Sequence, residues 1–182
     1  MKNLFYCLTA CLLLASCEST KVLYDAKVRT EIETVGIANL DKEPKHGKLF
    51  PKLDSNFRVS SMNFAKRFIA KQPVLLNEKI SCSEPDVSKI KELCEKNKLD
   101  GVILACVQFR QVINNIPFLV RNSKYFESIV YTKLYDKNGN MLYSIVHDSK
   151  EDYDKTPTTY DEVNMSLGIT FQKINKISQK GF

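Results

Sequence analysis

Tryptophan is absent from the 182 residues, and there are only two histidines, His46 and His147. A metal cage built on imidazole would have to gather distant parts of the chain, so none is expected. The six glycines are scattered; they form no phosphate loop, no dinucleotide fingerprint and no collagen-like period. There is no Gly-x-Ser-x-Gly elbow and no His-Glu-x-x-His. Blocks of one charge are missing, and 27 Lys and Arg stand against 21 Asp and Glu with 43% hydrophobic residues, which excludes a disordered chain. No segment repeats another, which excludes solenoids and propellers. No apolar run approaches the roughly 20 residues that a membrane-spanning helix requires.

The longest apolar run is Leu4 to Ala15, preceded by Lys2 and free of acidic residues. That is the grammar of an export signal. It leads into Leu14-Ala15-Ser16-Cys17, which resembles the lipobox of bacterial lipoproteins. The resemblance implies cleavage after residue 16, fatty acylation of Cys17 as the new first residue, and residence in the cell envelope, facing the periplasm. Glu18 after the cysteine, where Asp would favour inner-membrane retention, leans toward the outer membrane. Several acyl chains are needed for stable anchoring, since a single one holds only marginally. The organisation expected is therefore a signal over 1–16, a lipidated cysteine and tether over 17–32, and one globular domain over 33–182. The 166 residues left after cleavage suffice for one core. Nucleic-acid partners are not expected of an exported chain, and the loss of Lys2 lowers the formal net charge of +6 by one.

Along the domain, period-2 and period-3.6 patterns alternate. Val22, Tyr24, Ala26 and Val28 alternate loosely, as in a tether ending in an edge strand. Residues 34–40 read as a strand, 55–71 as an amphipathic helix capped by Asp54 with the stripe Phe57, Ser61, Phe64, Ala65, Phe68 and Ile69, and 74–80 as a strand. Ser83 with Asp86 reads as a capping box for a helix toward Leu99. Residues 102–107 are apolar on both faces, as in a central strand, and reach toward Ile113. Residues 126–135 and 141–147 form a hairpin about Asp136-Lys137-Asn138-Gly139-Asn140. Thr159 with Glu162 reads as a second capping box, opening a helix striped by Val163, Leu167, Phe171, Ile174 and Ile177. The fold expected is α/β (α+β): a single mixed sheet with helices packed on it, in the order β-α-β-α-β-β-β-α.

Candidate chemistry is sparse. The 136–140 turn has the spaced oxygens of a calcium loop, but its twelfth position is His147 rather than a bidentate Glu. The pairs Glu31 with Glu33 and Glu151 with Asp152 lie in polar stretches and read as solvated charge. Residues 41–54 read as the most basic loop; Lys42, Lys45, His46, Lys48 and Lys52 are a candidate set for an anionic glycan or lipid head group, against the alternative of a plain solvated loop. Cys82, Cys94 and Cys106 remain after processing. They read as buried small hydrophobes, with a Cys82–Cys94 disulfide conceivable.

Two segments, Lys98-Leu99-Asp100-Gly101-Val102-Ile103-Leu104 and Thr132 to Leu142, together with the opening strand 34–40, resemble TolB amino-terminal-domain-like envelope lipoproteins. The resemblance implies a scaffold in envelope assembly or transport. With it comes the expectation of no enzymatic activity, no cofactor and no resident metal. The partners would be the membrane, through Cys17, and an envelope protein or the cell wall.

Overall fold

The computed structural model describes residues 19–27, 31–114, 123–149 and 159–179. Cys17, Val28, Glu151 and Asp152 lie outside them. Six strands and four helices follow in the order β1 (Thr20–Asp25), β2 (Thr34–Asn39), α1 (Pro44–Leu49), α2 (Leu53–Phe68), β3 (Gln72–Lys79), α3 (Val87–Asn97), β4 (Gly101–Asn114), β5 (Ser123–Asp136), β6 (Met141–Asp148) and α4 (Thr159–Gln179). The strands form one mixed sheet in the order β1-β6-β5-β4-β2-β3. β2 runs parallel to β3 and to β4, while β4, β5, β6 and β1 pair antiparallel in succession. This is the mixed α+β architecture expected, with three longer helices on the sheet.

Alternation along β4 divides the core. Ile103, Ala105 and Val107 face one side, where Phe57 and Ala65 of α2 and Val163, Leu167, Phe171 and Ile174 of α4 cover the sheet. Val102 and Leu104 face the other, where Ile90, Leu93 and Cys94 of α3 pack with Leu76, Leu99 and Tyr135. A central strand covered on both faces has to be apolar at every position, and residues 102–105 are all buried. The stripes of α2 and α4 are core: the Phe64 and Phe171 rings lie 6.1 Å apart. Buried hydroxyls are satisfied locally, Ser61 donating to the Phe57 carbonyl at 2.6 Å and the Thr132 and Thr170 hydroxyls meeting at 2.7 Å.

Several local expectations are corrected. Residues 41–54 are not a loop throughout: α1 occupies Pro44–Leu49, with proline in its first turn, where the missing N–H is harmless. Asp54 does not cap α2. The helix begins one residue earlier, and Asp54 sits in its first turn beside the Lys42 ammonium. Asp86, rather than Ser83, caps α3, accepting from the Lys89 N–H at 3.1 Å, while the Ser83 hydroxyl meets that of Ser81 at 2.9 Å. The edge strand suggested by the alternation at the end of the tether is present as β1, and it starts at Thr20.

The 136–140 turn is a hairpin turn by its own bonding. Asp136 Oδ1 accepts from the N–H groups of Asn138 and Asn140 at 2.9 and 2.8 Å, and Oδ2 from the Asn140 amide at 3.0 Å. Gly139 has φ of 76°, which a residue with a side chain rarely adopts.

Candidate functional site

Strand directions decide which residues meet. β2, β3, β4 and β6 run one way and β1 and β5 the other, so the C-terminal ends of the first four share an edge with the first residue of β1. Thr20 pairs with His147, and the Asp148 N–H donates to the Ser19 carbonyl at 2.9 Å. The end is thus defined by where the chain enters the sheet.

Polar side chains at this end, some buried and some half-exposed, are bonded to one another. Arg110 of β4 donates from Nε to Glu127 Oε2 at 2.8 Å and from Nη2 to Asp148 Oδ1 at 3.0 Å. Glu127 is 3% exposed, and its bond, with the charge of Asp148, raises the already high Arg110 pKa and keeps the guanidinium charged. His147, fully buried on β6, has Nδ1 2.8 Å from the Thr20 hydroxyl and 3.4 Å from that of Ser19. The Ser128 N–H donates to Ser149 Oγ at 2.9 Å, and Ser149 donates to Glu162. These groups tie β4, β5, β6, β1 and α4 together. An arginine bracketed by two carboxylates is a clamp; it does not present an open anion site.

α1 follows the C-terminal end of β2 and therefore lies at the same end, packed over β4 and β5. The structure does not bring the basic set together. Lys42 is largely buried and paired with Asp54. His46 is 3% exposed, its ring edge-on to Phe109 at 4.9 Å, so it belongs to the core instead of a basic surface. Phe50 continues this cluster, 4.7 Å from Phe109 and 5.4 Å from Phe126. Lys48 and Lys52 are exposed, and of Lys45 only the backbone is described.

Of the carboxylate pairs, Glu33 engages Lys71 at 2.7 Å, with both side chains mostly exposed. Cys82 and Cys94 are buried and Cys106 is half-buried, all three as free thiols. Among the described residues no cluster of His, Cys, Asp or Glu has metal-binding geometry, and no helix is long and apolar enough to cross a membrane. Arg110, Glu127 and Asp148 went unread in the sequence. The signal was a charged residue inside each long strand, but only the register, which pairs Arg110 with Glu127, makes it legible.

No family model matches the chain, and no curated protein matches it. Among solved structures it is similar to the PelC dodecamer from Paraburkholderia phytofirmans, with 9% identity and a TM-score of 0.57 over 86% of this chain and 96% of that one. A neuraminyllactose-binding hemagglutinin homolog from Helicobacter pylori matches with 13% identity over 88% of this chain and 90% of its own, but with a TM-score of 0.35. A minor lipoprotein from Acinetobacter baumannii matches with 12% identity over 80% of this chain and 90% of its own, with a TM-score of 0.27. The likeness to PelC is one of fold. The other two superpose too poorly to bear on it.

Proposed function

We propose that the chain is a non-enzymatic lipoprotein of the bacterial cell envelope, anchored through acyl chains on Cys17, that works as a scaffold or protein-interaction module in envelope assembly or transport. The observation that carries this reading is Leu14-Ala15-Ser16-Cys17 behind a short apolar run, with β1 beginning only three residues later at Thr20. So short a connection would hold the chain-entry end of the sheet against the head groups and leave the opposite end and the outer surfaces of the helices to partners. Glu18 favours the outer membrane as the site. PelC is a dodecamer, and a comparable assembly here would build on β1, an edge strand with Val22, Leu23 and Tyr24 each more than 40% exposed.

The test is an affinity capture of the full-length chain from crosslinked cells, with mass spectrometry of its amino terminus and of the proteins retained, and with Cys17→Ala as control. An acylated Cys17, loss of membrane association in Cys17→Ala, and one reproducible envelope partner or self-capture are expected. An unmodified Cys17 overturns the anchor, and a hydrolase activity abolished by one point change overturns the scaffold.

A second reading is favoured by topology. Lys48 and Lys52 stand exposed at the end of the sheet where the chain enters it, and an acyl anchor on Cys17 would bring that end to a membrane surface. They are suited to an anionic lipid head group, and their replacement should weaken vesicle binding in a salt-dependent manner.

A further inference from the structure

We infer that Cys82 and Cys106 are an intrachain modification site, closing to a disulfide when the chain meets a disulfide oxidant. Cys82 lies three residues beyond β3 and Cys106 in the middle of β4, and both face the α3 side of the sheet. Asp41 places them. Its N–H donates to the Ala105 carbonyl at 2.9 Å and its carbonyl accepts from the Val107 N–H at 3.1 Å, bracketing Cys106. Its Oδ2 accepts from the Cys82 N–H at 2.9 Å. From the neighbouring strand, Lys133 donates its ammonium to the Cys82 carbonyl. Both backbones are held by one residue, and both side chains enter the same core cluster before any bond forms between them.

Cys82 and Cys106 belong to the same core cluster, and Cys106 is the neighbour that most strongly raises the Cys82 pKa, ahead of burial. Cys94 is differently placed. Burial raises it to about 11, with Asp136 and Asp100 its next influences, and neither other thiol acts on it. Asp41, which holds the backbone on both sides of Cys106 and the N–H of Cys82, selects Cys106 over Cys94 as the partner of Cys82.

The step balances as two successive exchanges with a small disulfide such as glutathione disulfide. Cys106, half-buried and the more reachable of the pair, loses its proton; its sulfur attacks one sulfur of the oxidant and expels the first small thiolate. Cys82 then loses its proton, attacks the Cys106 sulfur of the mixed disulfide and expels the second. Two protein thiols are oxidised, one oxidant disulfide is reduced, and the two protons end on the released thiols. Cys82, the more buried of the two, is the resolving thiol of the pair.

The experiment uses the full-length chain, extracted from membranes in detergent, before and after incubation with excess glutathione disulfide. The sample is quenched in acid, denatured and alkylated, and each cysteine is followed in a peptide map, so that Cys17 is scored separately. A peptide linking Cys82 to Cys106, with alkylation surviving only at Cys94, is expected, a threefold loss over the three domain thiols. Cys94→Ser should oxidise to the same extent. Three alkylated thiols after oxidation, a glutathione adduct that stays on Cys106, or a bridge to Cys94 would each overturn the proposal.

Discussion

One oxygen of Asp100 holds the start of β2. Oδ2 accepts from the N–H groups of Glu33 and Thr34 at 3.1 and 2.9 Å and from the Thr34 hydroxyl at 2.8 Å. The Thr34 N–H is the largest cause of the lowered Asp100 pKa. A carboxyl that titrates lower in the folded chain than in the unfolded chain, where Asp lies near about 3.9, stabilises fully above that value. Its contribution is lost as pH falls through the folded pKa. Asp100→Ala should cost about 2 kcal/mol at neutral pH and shallow the acid limb of the stability profile, whereas Asp100→Asn should lose the pH dependence while keeping part of the bonding. Urea midpoints measured between pH 2 and 7 check both. The neighbouring Gly101 answers to space: a Cβ there would lie 2.4 Å from the Tyr135 carbonyl oxygen, a backbone atom that moves only with β5. Gly101→Ala should cost about 2–3 kcal/mol, read as a fall in Tm of roughly 6 °C for a domain of this size. A fall below about 1 °C would mean that β4 and β5 part easily at this end. Neither residue owes its place to local propensity; both serve the register between strands distant in sequence.

At the scale of elements, α3 tests where a helix begins. Asp86 is its N-cap, so Asp86→Ala should cost about 1 kcal/mol, and Ser83→Ala, outside the helix, only a few tenths. Equal losses in chemical denaturation would restore the capping box that Ser83 and Asp86 suggest as a sequence. Most elements are legible from period alone: β4 from its unbroken apolar run, α2 and α4 from their stripes, and the β5–β6 hairpin from the Asp-Lys-Asn-Gly turn. α1 is not legible, because Pro44 and Gly47 argue against a helix and its six residues are too few to stand alone. What supports it is tertiary: His46 and Phe50 pack on Phe109 of β4. The candidate site divides in the same manner. The proposal of Cys17 rests on a local string that resembles a lipobox, whereas the clamp of Arg110, Glu127 and Asp148 exists only once three strands are in register.

The whole molecule sets up a charge experiment. Lys48 and Lys52 lie at the end of the sheet where the chain enters, so an anchored domain would turn both toward the bilayer, and an unanchored one would retain only their electrostatic attraction. A lysine close to an anionic surface contributes about 1 kcal/mol, and two together correspond to roughly a 30-fold change in partitioning. With Cys17→Ser removing the acyl chains, binding to vesicles containing phosphatidylglycerol should fall by about that factor at low salt in Lys48→Gln/Lys52→Gln. The difference should shrink toward 0.15 M salt, where the screening length is about 8 Å, and vanish on vesicles of phosphatidylcholine alone. Lys42→Gln provides the internal comparison, since Lys42 is largely buried against Asp54 and should leave binding unchanged while lowering stability. If Lys42→Gln weakens binding as much as the double variant, the effect is one of fold integrity rather than orientation. If neither variant changes it, the basic stretch is solvated surface, and the membrane is met by the acyl chains alone.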